Sequence, residues 1–179
     1  MRELSLHILD LAENGITAGA DRITIQVDET FLDTHIKITV TDNGSGMAPD
    51  MVAAVSDPFV TTRTTRRVGM GISLFKAAAE RCNGNFEIKS KRSKGTTLWA
   101  TFETDHLDRA PVGNMGETIT TLIAGFPDIG IKYDHILFRD SFNLDTAELK
   151  QDLDDLALDN PLVLTRIKEI INDFIQGKE

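Results

Sequence analysis

The amino-acid sequence predicts a fold of the α+β class, in which helices and hairpin-forming strands occupy separate stretches of the chain. Residues 3–18 carry apolar side chains at helical spacing, which predicts a helix. Residues 22–28 and 35–41 alternate apolar and polar side chains, as half-buried strands joined in a hairpin do. A second pair of alternating segments follows at residues 86–91 and 97–103. Together these observations predict a sheet with helices packed against it.

The segments between the two strand pairs are predicted from turn residues and periodicity. Residues 42–46 contain an Asn-Gly pair and a further glycine, so they form a loop. A short helix at 49–55 begins at a proline, and a longer helix covers 70–82. Residues 56–68 are rich in Thr and Arg and show no periodicity. A stretch of that length is typical of a functional loop.

The character of the sequence changes after residue 108. We therefore predict an N-terminal domain at residues 1–108 and a C-terminal extension of α/β type at residues 109–179. We expect the apolar final helix of this extension to pack on the sheet. The predicted elements of the extension are a linker at 110–113, a helix at 116–124, a hairpin of strands at 131–138 and 141–144, an acidic helix beginning near residue 145, and a final helix at 161–175.

Composition bounds the function. A chain of 179 residues with 41% apolar residues can bury one ordinary core. Its net charge of −9 argues against general nucleic-acid binding, which relies on basic surface. The basic residues that are present cluster at 63–67 and 89–94, which suits a small phosphate-bearing ligand, although a solvated surface is the common alternative.

The sequence also carries an expectation about location. No run approaches the roughly 18 apolar residues that a membrane span needs, and the N-terminus leads into an amphipathic segment rather than a signal peptide. The single cysteine, Cys82, has no partner for an internal disulfide. We therefore expect a cytoplasmic protein that does not associate with membranes.

The loop DNGSGM at residues 42–47 is the first candidate binding element. Asp42 ends a predicted strand, and its carboxylate can accept a hydrogen bond from an exocyclic amine such as that of adenine. Gly44 and Gly46 would let the backbone approach a flat ligand closely. A polar turn between two strands is the ordinary alternative for this loop.

The segment RRVGMGI at residues 66–72 opens a predicted helix and is the second candidate. Glycines at a helix N-terminus leave free N–H groups and the positive end of the helix dipole, which suit phosphate. The segment lacks the Lys-Ser/Thr ending of a P-loop and the third glycine of a dinucleotide-binding fingerprint. A flexible hinge is the alternative.

A polar stripe on the first predicted helix is the third candidate. His7, Asp10 and Asn14 lie on one helix face. That face either contacts solvent or borders a pocket. The Asn14 amide suits Mg²⁺, which takes few protein ligands, and Asp10 could accept a proton from a water or hydroxyl.

These features resemble the GHKL superfamily of ATP-binding domains, which includes histidine kinases, anti-sigma serine kinases and MutL. The resemblance covers residues 3–102 and rests on five ordered motifs. They are an N-box helix with DLAEN at 10–14, a first glycine box at 42–47, a phenylalanine box DPFVTTR at 57–63, a second glycine box VGMGISL at 68–74, and a closing KGTT at 94–97.

The resemblance implies a two-layer α/β sandwich, with helices on one face of a mixed sheet, that binds ATP or ADP with Mg²⁺. Residues 56–68 would form the lid over the nucleotide. The resemblance assigns Asn14 to Mg²⁺, Asp42 to the adenine amino group, and Gly44 and Gly46 to the wall beneath the base, with Met47 among the ATP-binding residues. Thr96 would touch the adenine, partly through water. The phosphates would meet Gly69, Met70, Gly71 and Ile72, and the lid arginines Arg63, Arg66 and Arg67 would contact either the phosphates or solvent.

The sequence departs from the family pattern at two positions of the first helix. Members that hydrolyse ATP place a Glu four residues before the Mg²⁺ ligand, whereas this chain has the shorter Asp10. Where kinases often have a basic residue, three positions after the ligand, it has Thr17. Asp10 is therefore a general base of short reach, and we expect slow hydrolysis. His7 lies within this helix and is expected to be structural or at the pocket edge.

The expected function is that of a stand-alone kinase in signalling, a transferase that moves the γ-phosphoryl group of MgATP to a partner protein. Because the N-box begins so near Met1, we expect no phosphoacceptor hairpin before it, and because the chain is short we expect no second domain like that of mismatch-repair ATPases. We therefore expect the acceptor to come from another protein. The alternatives are a non-catalytic ATP/ADP sensor whose lid gates partner binding, and a slow ATPase that forms a homodimer.

Overall fold

The computed structural model describes residues 3–32, 34–55, 70–138, 140–153 and 156–177. The predicted helices and strands are confirmed, with ends that differ by a few residues. In chain order they are α1 (Leu4–Thr17), β1 (Arg22–Phe31), β2 (His35–Asp42), α2 (Pro49–Val55), α3 (Met70–Arg81), β3 (Phe86–Lys91), β4 (Gly95–Glu103), α4 (Met115–Gly125), β5 (Gly130–Leu137), β6 (Asp140–Asp145), α5 (Thr146–Asp152) and α6 (Pro161–Ile175).

The strands form one mixed sheet in the order β3-β4-β2-β1-β5-β6. All neighbouring strands are antiparallel except β1 and β5, which run parallel. This confirms the α+β class and the mixed sheet. The segment after residue 109 adds β5 and β6 to the sheet begun by the N-terminal strands. The division into two domains at residue 108 stays a prediction.

One face of the sheet is apolar and is covered by helices. Along β1 the alternate residues Ile23, Ile25 and Val27 are fully buried, while the residues between them remain partly exposed. The paired strands repeat this alternation, because directly opposed residues share a face. Helix α1 contributes Ile8 and Leu11 to the same core. The sheet and its helices therefore form the two layers that the sequence predicted.

The final helix packs mainly against α4 and reaches the sheet through Phe174, so the expected packing on the sheet holds only in part. Buried side chains of α6 face the core, and Phe174 contacts the rings of His135 on β5 and Phe142 on β6 at centroid distances of 6.0 and 5.6 Å. His135 is fully buried, and both of its ring nitrogens are hydrogen-bonded. Nδ1 lies 2.5 Å from Tyr133 Oη, and Nε2 lies 2.8 Å from Glu29 Oε1. It is thus a hydrogen-bonded core histidine.

A membrane-spanning helix is not found among the described residues, since none of their helices combines sufficient length with sufficient apolar character.

Candidate functional site

A cavity opens where α1 crosses the ends of β2 and β4. It encloses about 490 Å³ of space between atoms, part of which is open to solvent. Its lining comes from segments distant in sequence: Leu11, Asn14, Gly15, Ala18, Val40, Asp42, Gly46, Met47, Ile72, Thr96 and Leu98. The wall is mainly apolar with a few polar groups, which is the usual make-up of a small-molecule site.

Asp42 supplies the carboxylate of this cavity. It is the last residue of β2 and pairs with Thr96 on β4. Its Oδ1 accepts a hydrogen bond from the backbone N–H of Gly44 at 2.8 Å. Burial raises the pKa of the carboxyl, and the backbone N–H groups of Gly44 and Thr96 oppose this by stabilising the carboxylate. Asp42 is therefore a fixed hydrogen-bond acceptor inside a largely apolar wall.

Helix α1 lies against Asp42 because residue 15 has no side chain. A Cβ atom on Gly15 would lie 2.7 Å from Cβ of Asp42 and 2.9 Å from Cδ1 of Ile23, distances that real Cβ atoms do not show. This close approach brings the helix over the end of the sheet and closes one side of the cavity. Gly15 was not among the predicted site residues. The signal for it is a glycine inside a helical pattern, which is costly unless close packing requires it.

The loop after β2 and the turn between β3 and β4 are pressed together backbone to backbone. Gly46 has φ +62°, and a Cβ there would lie 2.0 Å from the Lys91 carbonyl oxygen. Gly95 has φ +84°, and its Cβ would lie 2.0 Å from the Asp42 carbonyl oxygen. Only glycine fits either position. The two glycines thus lock the loop that carries Asp42 onto the strand that carries Thr96.

The first turn of α3 meets the polar stripe of α1. A Cβ on Gly71 would lie 3.4 Å from Nδ2 of Asn14 and 3.5 Å from Cβ of Asp10. Asn14 lines the cavity, and in the described part of the chain no hydrogen bond engages its amide. Asp10 lies just beyond the lining, and burial raises the pKa of its carboxyl. The positive end of the α3 dipole therefore faces Asn14 and Asp10.

His7, the third residue of the stripe, lies in the core rather than at the cavity. It is 4% exposed, and its ring packs on Phe75 of α3 with centroids 5.7 Å apart. Burial, with the positive N-terminus as a second cause, lowers its pKa to about 4. The Nδ1 atom has no hydrogen-bond partner among the described residues. His7 is therefore an uncharged packing residue, which agrees with the structural role and not with a place at the pocket edge.

The family of this chain follows from a comparison with known proteins. The model for the family described as histidine kinase-, DNA gyrase B- and HSP90-like ATPases matches residues 2–106, more than half of the chain. The chain belongs to this family. The predicted GHKL resemblance is thereby confirmed.

Relatives within the family include sensor histidine kinases. Sensor histidine kinase ZraS of Salmonella typhi is 37% identical over 96 residues, which are 51% of this chain and 20% of that protein. The NtrY-like sensor histidine kinase of Rickettsia conorii is 27% identical over 111 residues, 60% of this chain and 18% of that protein. This chain thus spans about a fifth of the length of these relatives.

A solved structure shows the same fold. The N-terminal domain of a DNA repair protein superposes with a TM-score of 0.54 and 16% identity, covering 81% of this chain and 53% of that chain. At this identity the likeness concerns the fold alone.

The structure brings together most, though not all, of the residues that the family resemblance singled out. Asn14, Asp42, Gly46, Met47, Ile72 and Thr96 line one cavity. Gly44 acts through its backbone N–H on Asp42, and Gly71 lies beside Asn14. The described residues do not include the expected lid at 56–68, which contains Arg63, Arg66 and Arg67, or Gly69. Met70 is described only as the first residue of α3.

Sequence reasoning missed Ser90, which lies behind the cavity wall. Its Oγ accepts from the Met47 backbone N–H at 2.8 Å, donates to the Gly95 carbonyl oxygen at 3.1 Å and lies 2.8 Å from Oγ1 of Thr96. In an alternating strand, a serine of this kind looks the same as one that faces solvent. The sequence therefore holds no local signal for its role.

Replacing Gly46 with alanine should test the backbone contact between loop and turn. The added Cβ meets the Lys91 carbonyl and the positive φ is strained, so we expect the free energy of unfolding to fall by about 1–3 kcal/mol. Urea unfolding followed by circular dichroism measures this. Gly125→Ala is the control, because nothing lies within 4 Å of its Cβ position. Equal stability of the two variants would contradict the contact.

Proposed function

We propose that the cavity binds ATP, with the adenine amino group donating a hydrogen bond to Asp42. The observation that carries this proposal is the half-buried Asp42 carboxylate, which lines the cavity and is stabilised by the backbone N–H groups of Gly44 and Thr96. An acceptor in such a wall favours a flat base with an amino donor. The apolar side chains of Leu11, Val40 and Ile72 would contact the two faces of the base. Membership in an ATPase family supports the same ligand.

The phosphates would extend from the base toward the N-terminus of α3. The first N–H groups of a helix have no partner within the helix, and together with the helix dipole they favour anions. Asn14 lies beside the start of α3. No group of three or more His, Cys, Asp or Glu side chains that could hold a metal occurs among the described residues. The Asn14 amide oxygen alone still fits Mg²⁺, which takes most of its ligands from phosphates and water. When bound, Mg²⁺ would neutralise charge on the phosphates.

We further propose that the chain transfers the γ-phosphoryl group of ATP to a side chain of a partner protein. Two of its relatives are sensor histidine kinases, although this chain covers only about a fifth of their length. Asp10 lies beside Gly71 at the end of the cavity where the phosphates would lie. Its raised pKa strengthens it as a proton acceptor for an incoming hydroxyl. Positioning of the two reactants would supply most of the rate.

Asn14→Ala should weaken MgATP binding about tenfold, because one oxygen ligand to the ion is lost. Binding of ATP without Mg²⁺ should change little. Titration calorimetry with and without the metal measures both affinities. Glu13→Ala is the matched control, since Glu13 is the exposed neighbour on the same helix. Unchanged affinity in the presence of Mg²⁺ would show that Asn14 does not hold the ion.

Asp10→Asn should lower phosphoryl transfer by a factor of about 10²–10⁴, because the variant cannot accept a proton. Incubation with γ-labelled ATP and candidate partner proteins measures transfer, and Glu13→Gln is the control. Tight ATP binding with label on no protein would instead indicate a nucleotide sensor. Release of free phosphate that depends on Asp10, without labelled protein, would indicate a slow ATPase.

A further inference from the structure

Ser90 lies at the junction of the two walls of the cavity without lining it. It belongs to β3, pairs with Thr96 on β4 and is half-buried. Its hydroxyl is within hydrogen-bond distance of three groups, on Met47, Gly95 and Thr96. Met47 and Thr96 both line the cavity. Ser90 therefore touches the site through two of its lining residues.

Hydrogen-bond accounting gives one assignment in which all three contacts of the Ser90 hydroxyl are made at once. A serine hydroxyl has one proton to donate and two lone pairs to accept. The Met47 backbone N–H can only donate, so it occupies one lone pair of Ser90. The Gly95 carbonyl oxygen can only accept, so it receives the Ser90 proton. In that assignment the remaining lone pair of Ser90 accepts, and the Thr96 hydroxyl is the donor across 2.8 Å.

This arrangement leaves the Thr96 hydroxyl without a proton for a ligand. Its hydrogen points away to Ser90, and only oxygen lone pairs are available to the cavity. The Asp42 carboxylate, opposite Thr96 in the strand pairing, is also an acceptor. Two acceptors side by side match an amino group, whose two N–H bonds can serve both directly or through a water. They repel a keto oxygen, which offers lone pairs of its own.

We propose that Ser90 determines base specificity by holding the Thr96 hydroxyl as an obligate acceptor, so that the cavity selects an amino-purine over a keto-purine nucleotide. Ser90 is in this sense a positioning residue, since it acts through Thr96. The inference rests on the proposed binding of ATP. A residue that only braced the loop would affect stability and overall affinity, but it would leave the preference between two bases unchanged.

The test compares ATP with inosine triphosphate, which carries a keto oxygen in place of the adenine amino group. The variants are Ser90→Thr and Ser90→Val, which have the same shape and differ in the hydroxyl. The Val variant frees the Thr96 hydroxyl to rotate and donate to the keto oxygen. The measured quantity is the dissociation constant of inosine triphosphate divided by that of ATP. We expect this ratio to fall about tenfold in Ser90→Val and to stay at the unmodified protein's value in Ser90→Thr. Competition against a fluorescent ATP analogue measures the ratio, and thermal unfolding checks the fold.

A second pair of variants shows whether the effect passes through Thr96. In a Thr96→Val background the hydroxyl is absent, so adding Ser90→Val should leave the ratio unchanged. Ser90→Cys is the substitute if the Val variant does not fold, because cysteine is similar in size to serine but forms weaker hydrogen bonds. Its ratio should lie between that of the Thr variant and the roughly tenfold lower value expected for the Val variant.

The outcomes separate this inference from the function on which it rests. If the unmodified protein binds neither nucleotide, the proposed function is wrong. If it prefers ATP and folded Ser90→Val keeps the same preference, the specificity role of Ser90 is overturned while ATP binding stands. A shift of the ratio in the Thr96→Val background would also overturn it, because the effect would then not pass through the Thr96 hydroxyl.

Discussion

Two segments distant in sequence meet backbone to backbone at one edge of the cavity, where residue 46 faces the carbonyl of Lys91 and residue 95 faces the carbonyl of Asp42. Because glycine has no Cβ, the loop after β2 and the turn before β4 can approach each other more closely than they could with a side chain at either position. The Thr96 N–H can thereby reach the Asp42 carboxylate. The same contact lets the Ser90 hydroxyl form hydrogen bonds with Met47 on one wall and Thr96 on the other. The placement of the polar groups around Asp42 and Thr96 thus depends on the close backbone contact at Gly46 and Gly95.

Helix α1 completes the site by a second close approach. The missing side chain of Gly15 allows the helix to lie on Asp42, and the helix then carries Asn14 and Asp10 to the start of α3. The base end and the phosphate end of the proposed ligand are therefore set by the same helix. The electrostatic features of the two ends differ accordingly: a fixed acceptor lies at one, and a helix N-terminus beside polar groups lies at the other.

Local periodicity predicted the elements well, because burial on one face of a helix or strand is written in neighbouring residues. It could not predict that β5 would pair in parallel with β1, since the choice of a partner strand far along the chain depends on which apolar faces must be covered together. The strand ends also differ slightly from the predicted ones. β4 begins at Gly95 rather than residue 97, because pairing with Lys91 and the positive φ of the glycine extend the ladder into the turn.

For the site, the sequence singled out residues whose types suit the proposed chemistry, and it missed those that act by shape or by a shared hydrogen bond. Asn14, Asp42 and Thr96 stand in recognisable motifs and line the same cavity. Gly15 and Ser90 matter through neighbours that the fold brings from elsewhere. A glycine inside a helical pattern marks Gly15 as a site of close packing without saying what packs there, and no pattern around Ser90 marks a role.

Titration calorimetry with ATP, ADP and GTP tests the central claim, that the Asp42 cavity is an adenine-nucleotide site, most directly. We predict that ATP and ADP bind, that Mg²⁺ strengthens ATP binding, and that GTP binds at least about tenfold more weakly because its keto oxygen meets an acceptor. Equal affinity for ATP and GTP, or no binding of either, would contradict the assignment of Asp42 and with it the function proposed for the chain.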